Sequence, residues 1–232
     1  LPVIAADFGI PAAHLSIGVS AYLVAVTLFI PLSGYVADRF GARTIFIAAI
    51  GVFTLASVLC GLSTTLVEFT LSRILQGIGG AMMVPVGRLV VLRDLPKEKL
   101  VKTVAIITWP ALSAPLLGPV LGGYIATHFS WQWIFYMNIP LGLIAIIASA
   151  YLLQNTKGEV STFDVKGFLL TGFGFALFMA GIEFLASNGE RIMESATIIS
   201  MGFAGMLLAI WHIKTAKNPL FSFDAMQHRT FR

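Results

Sequence analysis

The sequence predicts an all-α fold, a polytopic membrane helix bundle, and three observations carry that prediction. Residues of the AVILMFWYC set make up 57% of the 232, Asp, Glu, Lys and Arg only 11%, and the mean hydropathy is +0.89. A soluble domain carries about a quarter of charged residues to cover its surface. The charges also leave long gaps: none lies between Asp7 and Asp38, between Arg43 and Glu68, or between Lys102 and Lys157. A membrane crossing needs about 20 mostly apolar residues, because a hydrocarbon core of roughly 30 Å is climbed at 1.5 Å per residue. The last gap therefore holds two crossings. Finally, the apolar runs are continuous instead of alternating in segments of about ten, which excludes a closed β-barrel.

Seven spans follow in order: 16–37, 44–62, 67–87, 103–126, 134–153, 166–186 and 193–213. Their connections are Asp38–Arg43, Ser63–Leu66, Arg88–Lys102, Thr127–Trp133, Gln154–Val165 and Ser187–Ile192, and a polar tail, Lys214–Arg232, closes the chain. The first, third and fifth connections and the tail, with Lys166 at the adjoining edge of the sixth span, hold 13 of the 15 Lys and Arg residues. Of the other two, Arg191 lies in a loop on the opposite side and Arg73 lies inside a span. The basic side is cytoplasmic by the positive-inside rule, so residue 1 starts outside and residue 232 ends inside. This distribution makes the net charge of +4 and the pI near 9.4 a topology signal, not a nucleic-acid patch. An odd number of spans starting outside implies a helix before Leu1. The polar stretch around 155–165 is the internal boundary, dividing 1–154 from 166–213, with 214–232 leading onward. Cys60 stands alone, which leaves no disulfide framework and no thiolate metal site. His14, His128, His212 and His228 lack ligand spacing, so no metal or other cofactor is expected. No phosphate-cradling Gly-Lys-Ser/Thr loop is present to encode ATP drive.

Four stretches carry chemistry. In Gly34-Tyr-Val-Ala-Asp38-Arg39-Phe-Gly41-Ala-Arg43 two glycines let helix ends approach, and Asp38 and Arg43 can pair with each other or with a helix end. The same residues also read as an ordinary positive-inside turn. Arg73 lies roughly 10 Å inside its helix. A charge there costs at least ~2.5 kcal/mol against lipid, so it should face the bundle interior, snorkelling to the headgroups being the alternative. Gln76, Gly77 and Gly80 share its face. The fourth span carries Pro110, Pro115 and Pro119, with Ala114, Gly118 and Gly122 at spacing four, a groove for close helix packing with or without a role in transport. The stretch from Trp131 to Gly142 places aromatics where a membrane-interface belt belongs. Glu68 and Glu183, near outer helix ends, read as interfacial or as proton sites. Gln76, Met82, Met83 and Trp109 are candidates for lining an adaptable apolar cavity, with core packing as the other reading.

These stretches resemble the signatures of the major facilitator superfamily, in the same order and on the corresponding helices. The turn with Gly34, Asp38, Arg39, Gly41 and Arg43 is similar to G-x-L-A-D-R-x-G-R-K, departing at Val36 and Ala42. The run Arg73 to Ala81 resembles R-x-x-Q-G-x-G-A-A, whose arginine the family links to proton transfer. Gly118-Pro119-x-x-Gly122-Gly123 resembles the antiporter motif, with Ala114 in place of the usual leading Gly. The Trp131–Gly142 stretch is similar to that of the fourteen-helix drug:proton antiporters, with Gln132 where Arg is common. The resemblance implies helices two to six of the first half (1–154), a cytoplasmic linker (155–165), two extra helices (166–213) and a cytoplasmic tail (214–232). The family's first helix, with its acidic motif, and the whole second half would be missing. It also implies a multi-pass protein of the plasma membrane, a bacterial inner membrane, exporting small amphipathic molecules or drugs against protons by alternating access. The alternatives are a dedicated exporter of an organic anion or metabolite, since Arg73 could hold a carboxylate, and a non-transporting scaffold or receptor. No nucleophile–base pair lies within a span, so no enzyme is expected. Oligomeric state stays open.

Overall fold

The computed structural model describes residues 2–92, 96–158, 162–187 and 191–216, and every regular element among them is an α-helix. In order these are α1 (Pro2–Asp7), α2 (Ala12–Phe40), α3 (Ala42–Leu62), α4 (Leu66–Leu92), α5 (Lys97–His128), α6 (Trp133–Tyr136), α7 (Asn138–Leu152), α8 (Val165–Ser187) and α9 (Ile192–Thr215). Six helical stretches are long and apolar enough to cross a membrane: α2, α3, α4, α6 with α7, α8 and α9. The seventh expected span, α5, qualifies when its two parts, Glu98–Ala114 and Leu117–His128, are taken as one; they meet at 44°. Side chains such as Leu62, Leu141 and Tyr151 stand exposed around the bundle, as a lipid-facing surface requires. The chain is a multi-pass membrane protein.

Helix α4 is the centre, packed between α2 and α3; α7 lies on α3, α8 on α2 and α9 on α8, while α5 makes its main contact with α6. Small residues set these approaches. A Cβ on Gly77 would come 2.6 Å from the Tyr22 carbonyl oxygen of α2, and one on Gly79 would come 2.7 Å from the Phe53 nitrogen of α3. Only glycine at both positions lets three backbones close on one another. Gly174, Gly181 and Gly202 do the same between α8 and α9.

The two ends of the bundle differ from the sequence expectation. At the end where α2 begins, Ile4, Ala5, Leu15, Cys60, Phe69, Trp131 and Phe135 form a buried cluster. Trp131 Nε1–H donates to Asp7 Oδ2 at 2.8 Å. The interface-belt reading is corrected here: Trp131 and Phe135 are 3% and 7% exposed, and only Trp133 stays open at 55%. Phe8 meets the Trp131 ring edge-on and packs against the cluster that the apolar residues of α1 share with both rings, a partnership between distant segments that spacing within the loop does not reveal. At the other end, the expected turn Asp38–Arg43 shrinks to one residue. Helix α2 runs through Asp38 and Arg39 to Phe40, and α3 starts at Ala42. Gly41 makes the turn at φ +98°, where a side chain would also collide with Asn155. Gly34 is a second correction, for it lies exposed inside α2 with no neighbour near the position of a Cβ. Arg93 and the tail beyond Ala216, with Lys217, His228, Arg229 and Arg232, lie outside the described residues.

Candidate functional site

Five helices converge on a polar network around Arg73. Its guanidinium carbon stands 4.3 Å from the centroid of the Tyr22 ring (α2) and 5.9 Å from that of Phe135 (α6). Arg73 NH1 donates to Gln76 Oε1 one turn further along α4. Gln76 Nε2 donates to Ser57 Oγ of α3 at 2.7 Å, and Asn138 Nδ2 of α7 donates to the same oxygen at 3.2 Å. The Ser57 hydroxyl completes its set by donating to the Phe53 carbonyl at 2.8 Å. Ser57 is fully buried and Gln76 is 2% exposed, so each group satisfies another that would otherwise be orphaned in a dry interior. The arginine is turned into the bundle, against ring faces that hold a cation without neutralising it. No carboxylate among the described residues pairs with it. With five N–H donors on a guanidinium and one of them committed to Gln76, the group can still take an acceptor brought from elsewhere.

The sequence marks Arg73, Gln76 and the glycines behind them; it misses Tyr22, Ser57 and Asn138. Ser57 and Asn138 carry a signal, as lone hydrogen-bonding side chains within apolar runs. Tyr22 carries none, since a tyrosine in a span is indistinguishable from packing until the helices are placed.

The Gly41 turn is latched by the segment after α7. Ala42 N donates to the Thr156 carbonyl (3.1 Å), Gly158 N to the Asp38 carbonyl (3.1 Å) and Thr44 N to Asn155 Oδ1 (3.3 Å). Arg43 NH1 reaches the carbonyls of Ala150 and Leu153 at 3.4 and 3.3 Å, capping the negative end of α7. Arg39 instead donates to Tyr35 Oη at 2.7 Å.

The remaining candidates separate. No neighbour approaches the Cβ positions of Gly118, Gly122 or Gly123 on α5, so that face meets no helix among the described residues. A cavity of about 520 Å³ opens between α2, α4 and α8, and none of Gln76, Met82, Met83 and Trp109 lines it. Gln76 belongs to the network, and Met82 packs on a buried cluster of Ala37, Ala42 and Val86. Trp109 is 75% exposed on α5. Glu68 caps α4: its carboxylate accepts from Thr64 N (2.9 Å) and Thr64 Oγ1 (3.1 Å), while its own N–H donates to Thr65 Oγ1. Glu183, read from the sequence as interfacial or as a proton site, is half-buried against α2, where Ser20 Oγ donates to its Oε2 at 2.7 Å. His128 stacks on Tyr124 and His212 contacts Asp164 Oδ1 at 2.9 Å. No group of three potential metal ligands occurs among the described residues.

Comparison with known proteins agrees with this architecture. A family model described as Major Facilitator Superfamily matches residues 1–217. Proteins named "Putative multidrug resistance protein MdtD" from Escherichia coli O139:H28, from Escherichia coli K12 strain DH10B and from Shigella boydii serotype 18 are each 39% identical over 231 residues. The alignments cover 100% of this chain and 49% of each relative, so the chain spans about half the length of the curated relatives it matches.

Proposed function

Because the chain belongs to the major facilitator superfamily, a family of membrane transporters and not of enzymes, we propose that it is part of a proton-coupled antiporter exporting small amphipathic molecules. The observation that carries this reading is the inward-facing Arg73, a cation fixed in the bundle with unused donors and no carboxylate partner among the described residues. A carboxylate elsewhere in the full-length protein pairs with Arg73 in one conformation. Its protonation weakens the pair, and that difference biases the two conformations of an alternating-access cycle. The name carried by the MdtD relatives supports drugs as the substrate class.

In this reading 1–154 are five helices of a first six-helix half, 155–165 a cytoplasmic linker, 166–213 the extra pair and 214–232 the lead into a second half. The Gly41 turn with its latch lies on the cytoplasmic side of a bacterial inner membrane, and the Trp131 cluster lies outside. The small-residue face of α5, from Ala114 to Gly123, seats a helix of another segment, for which the open Cβ positions leave room. A dedicated exporter of an organic anion is the second reading, favoured by the same free donors on Arg73. The test is dye accumulation in cells producing the full-length protein. Export of a cationic amphipathic dye that stops when a protonophore is added supports antiport. Export that persists with the proton gradient collapsed contradicts it, and export of carboxylate dyes alone favours the second reading.

A further inference from the structure

The segment 155–158 is fitted to the α2–α3 turn by a glycine on each side. A Cβ on Gly41 would fall on the Asn155 side chain, and one on Gly158 would fall on the Asp38 carboxylate. Each surface therefore lacks a side chain where the other brings one. Main-chain bonds close both edges: Ala42 N–H donates to the Thr156 carbonyl and Gly158 N–H to the Asp38 carbonyl, each at 3.1 Å. Asn155 Oδ1 accepts from Thr44 N–H, and Arg43 reaches the carbonyls of Ala150 and Leu153. A hinge has to absorb large φ and ψ changes, and these bonds tie down the residues that would turn.

The attachment continues along α8. The rings of Phe163 and Tyr35 lie 4.8 Å apart, those of Phe168 and Phe29 6.0 Å apart, and a Cβ on Gly172 would fall on Leu28. Toward the other end of the bundle, Ser20 Oγ donates to Glu183 Oε2 at 2.7 Å, and the Ser16 hydroxyl is shared between Glu183 Oε1 and the Ala13 carbonyl. From Ser16 to Tyr35 these contacts run along roughly 28 Å of α2, about the thickness of a hydrocarbon core. The apolar cavity takes up part of the middle, which leaves the polar bonds at the two ends to fix α8. Helix α9 is bound to α8 in turn, since a Cβ on Gly174 would come 2.8 Å from Met206 N.

We infer that residues 155–158 are a brace and not a hinge. They clasp the Gly41 turn beside one end of α8 while Glu183 clasps α2 near the other, so that α8 and α9 move with α2, α3, α4 and α7 as a single body. Asn155 is the positioning residue of the brace. The inference rests on the alternating access of the proposed function and not on proton drive.

Hydrogen exchange of the full-length protein in phosphatidylcholine nanodiscs reads the brace without any transport, so its outcome is independent of the proposed function. The Gly158 amide, which no helix protects, exchanges at least about a hundredfold more slowly than in an unstructured peptide. Asn155→Ala speeds that exchange at least about tenfold, whereas Asn155→Asp, which keeps an acceptor for Thr44 N–H, does not. Exchange of wild type at the unstructured rate overturns the inference, and so does equal exchange in Asn155→Ala and wild type. A lock tests the same point during turnover. In a Cys60→Ala background, Ala42→Cys and Thr156→Cys place two thiols across a main-chain bond, and oxidation joins them. Ethidium transport by energised inside-out vesicles then stays within about twofold of that of the reduced protein. Transport lost on oxidation and restored by dithiothreitol means that the segment opens in each cycle, and the inference fails.

Discussion

Single side chains decide whether the polar network does more than hold helices together. If Arg73 biases a proton-binding group, Arg73→Ala abolishes proton-driven export while the protein still reaches the membrane. Arg73→Lys keeps a charge but loses the planar fork and much of the stacking on Tyr22, so it recovers only part of the activity. Export rates of the two variants measure this, and full function in the Lys variant would return Arg73 to a snorkelling role. Ser57 makes a second case. Removing its hydroxyl leaves the amides of Gln76 and Asn138 without their shared acceptor, so Ser57→Ala costs about 1–3 kcal/mol of stability. Thermal unfolding of the purified full-length protein reads the loss, and an unchanged midpoint would mean the amides find other partners. At Gly41 two penalties combine, a backbone at φ +98° and the Asn155 side chain in the place of a Cβ. Gly41→Ala costs about 1–3 kcal/mol from the backbone alone. Adding Asn155→Ala relieves the collision and not the dihedral, so the double variant regains only part of the midpoint lost. Full recovery would show that the dihedral carries no strain.

At the scale of helices, much of the fold was legible because lipid demands it. Unbroken apolar runs place each span, and six of the seven expected spans return in order as helical stretches long and apolar enough to cross, α5 joining them when its two parts are taken as one. What stayed hidden were meetings between distant segments. The docking of α1 on Trp131 and Phe135, the seating of 155–158 on the Gly41 turn and the burial of Glu183 against Ser16 and Ser20 each join residues far apart in sequence. No local period encodes them. For the same reason Arg73 and Gln76 could be marked from a single helix, while Ser57 and Asn138 needed α3 and α7 in place. Helix α5 makes the sharpest element-scale prediction. Gly118 and Gly122 have open space where a Cβ would lie, so Leu at either position disturbs nothing in this part of the bundle. If their face seats a helix of another segment, Gly118→Leu and Gly122→Leu abolish export with membrane insertion intact. Wild-type export in both variants would mean that this face looks at lipid.

At the scale of the whole molecule, the sequence puts 13 of its 15 Lys and Arg residues on one side, which predicts the Gly41 turn and the 154–165 segment in the cytoplasm. A cysteine introduced at Ser63, in a background lacking Cys60, should react with a membrane-impermeant thiol reagent from outside intact cells. One at Thr162 should not, and the reverse pattern would invert the topology. Because the chain covers 49% of its relatives, residues 1–232 alone should show no substrate-dependent flux, for alternating access rocks one half against another around a shared site. The most direct test is transport by the full-length protein in sealed proteoliposomes across an imposed pH gradient. Proton-coupled antiport predicts that substrate moves opposite to the proton flow, that the flux reverses when the gradient is reversed, and that Arg73→Ala eliminates it. A substrate flux that ignores the direction of the gradient, or that is unchanged in Arg73→Ala, would contradict it.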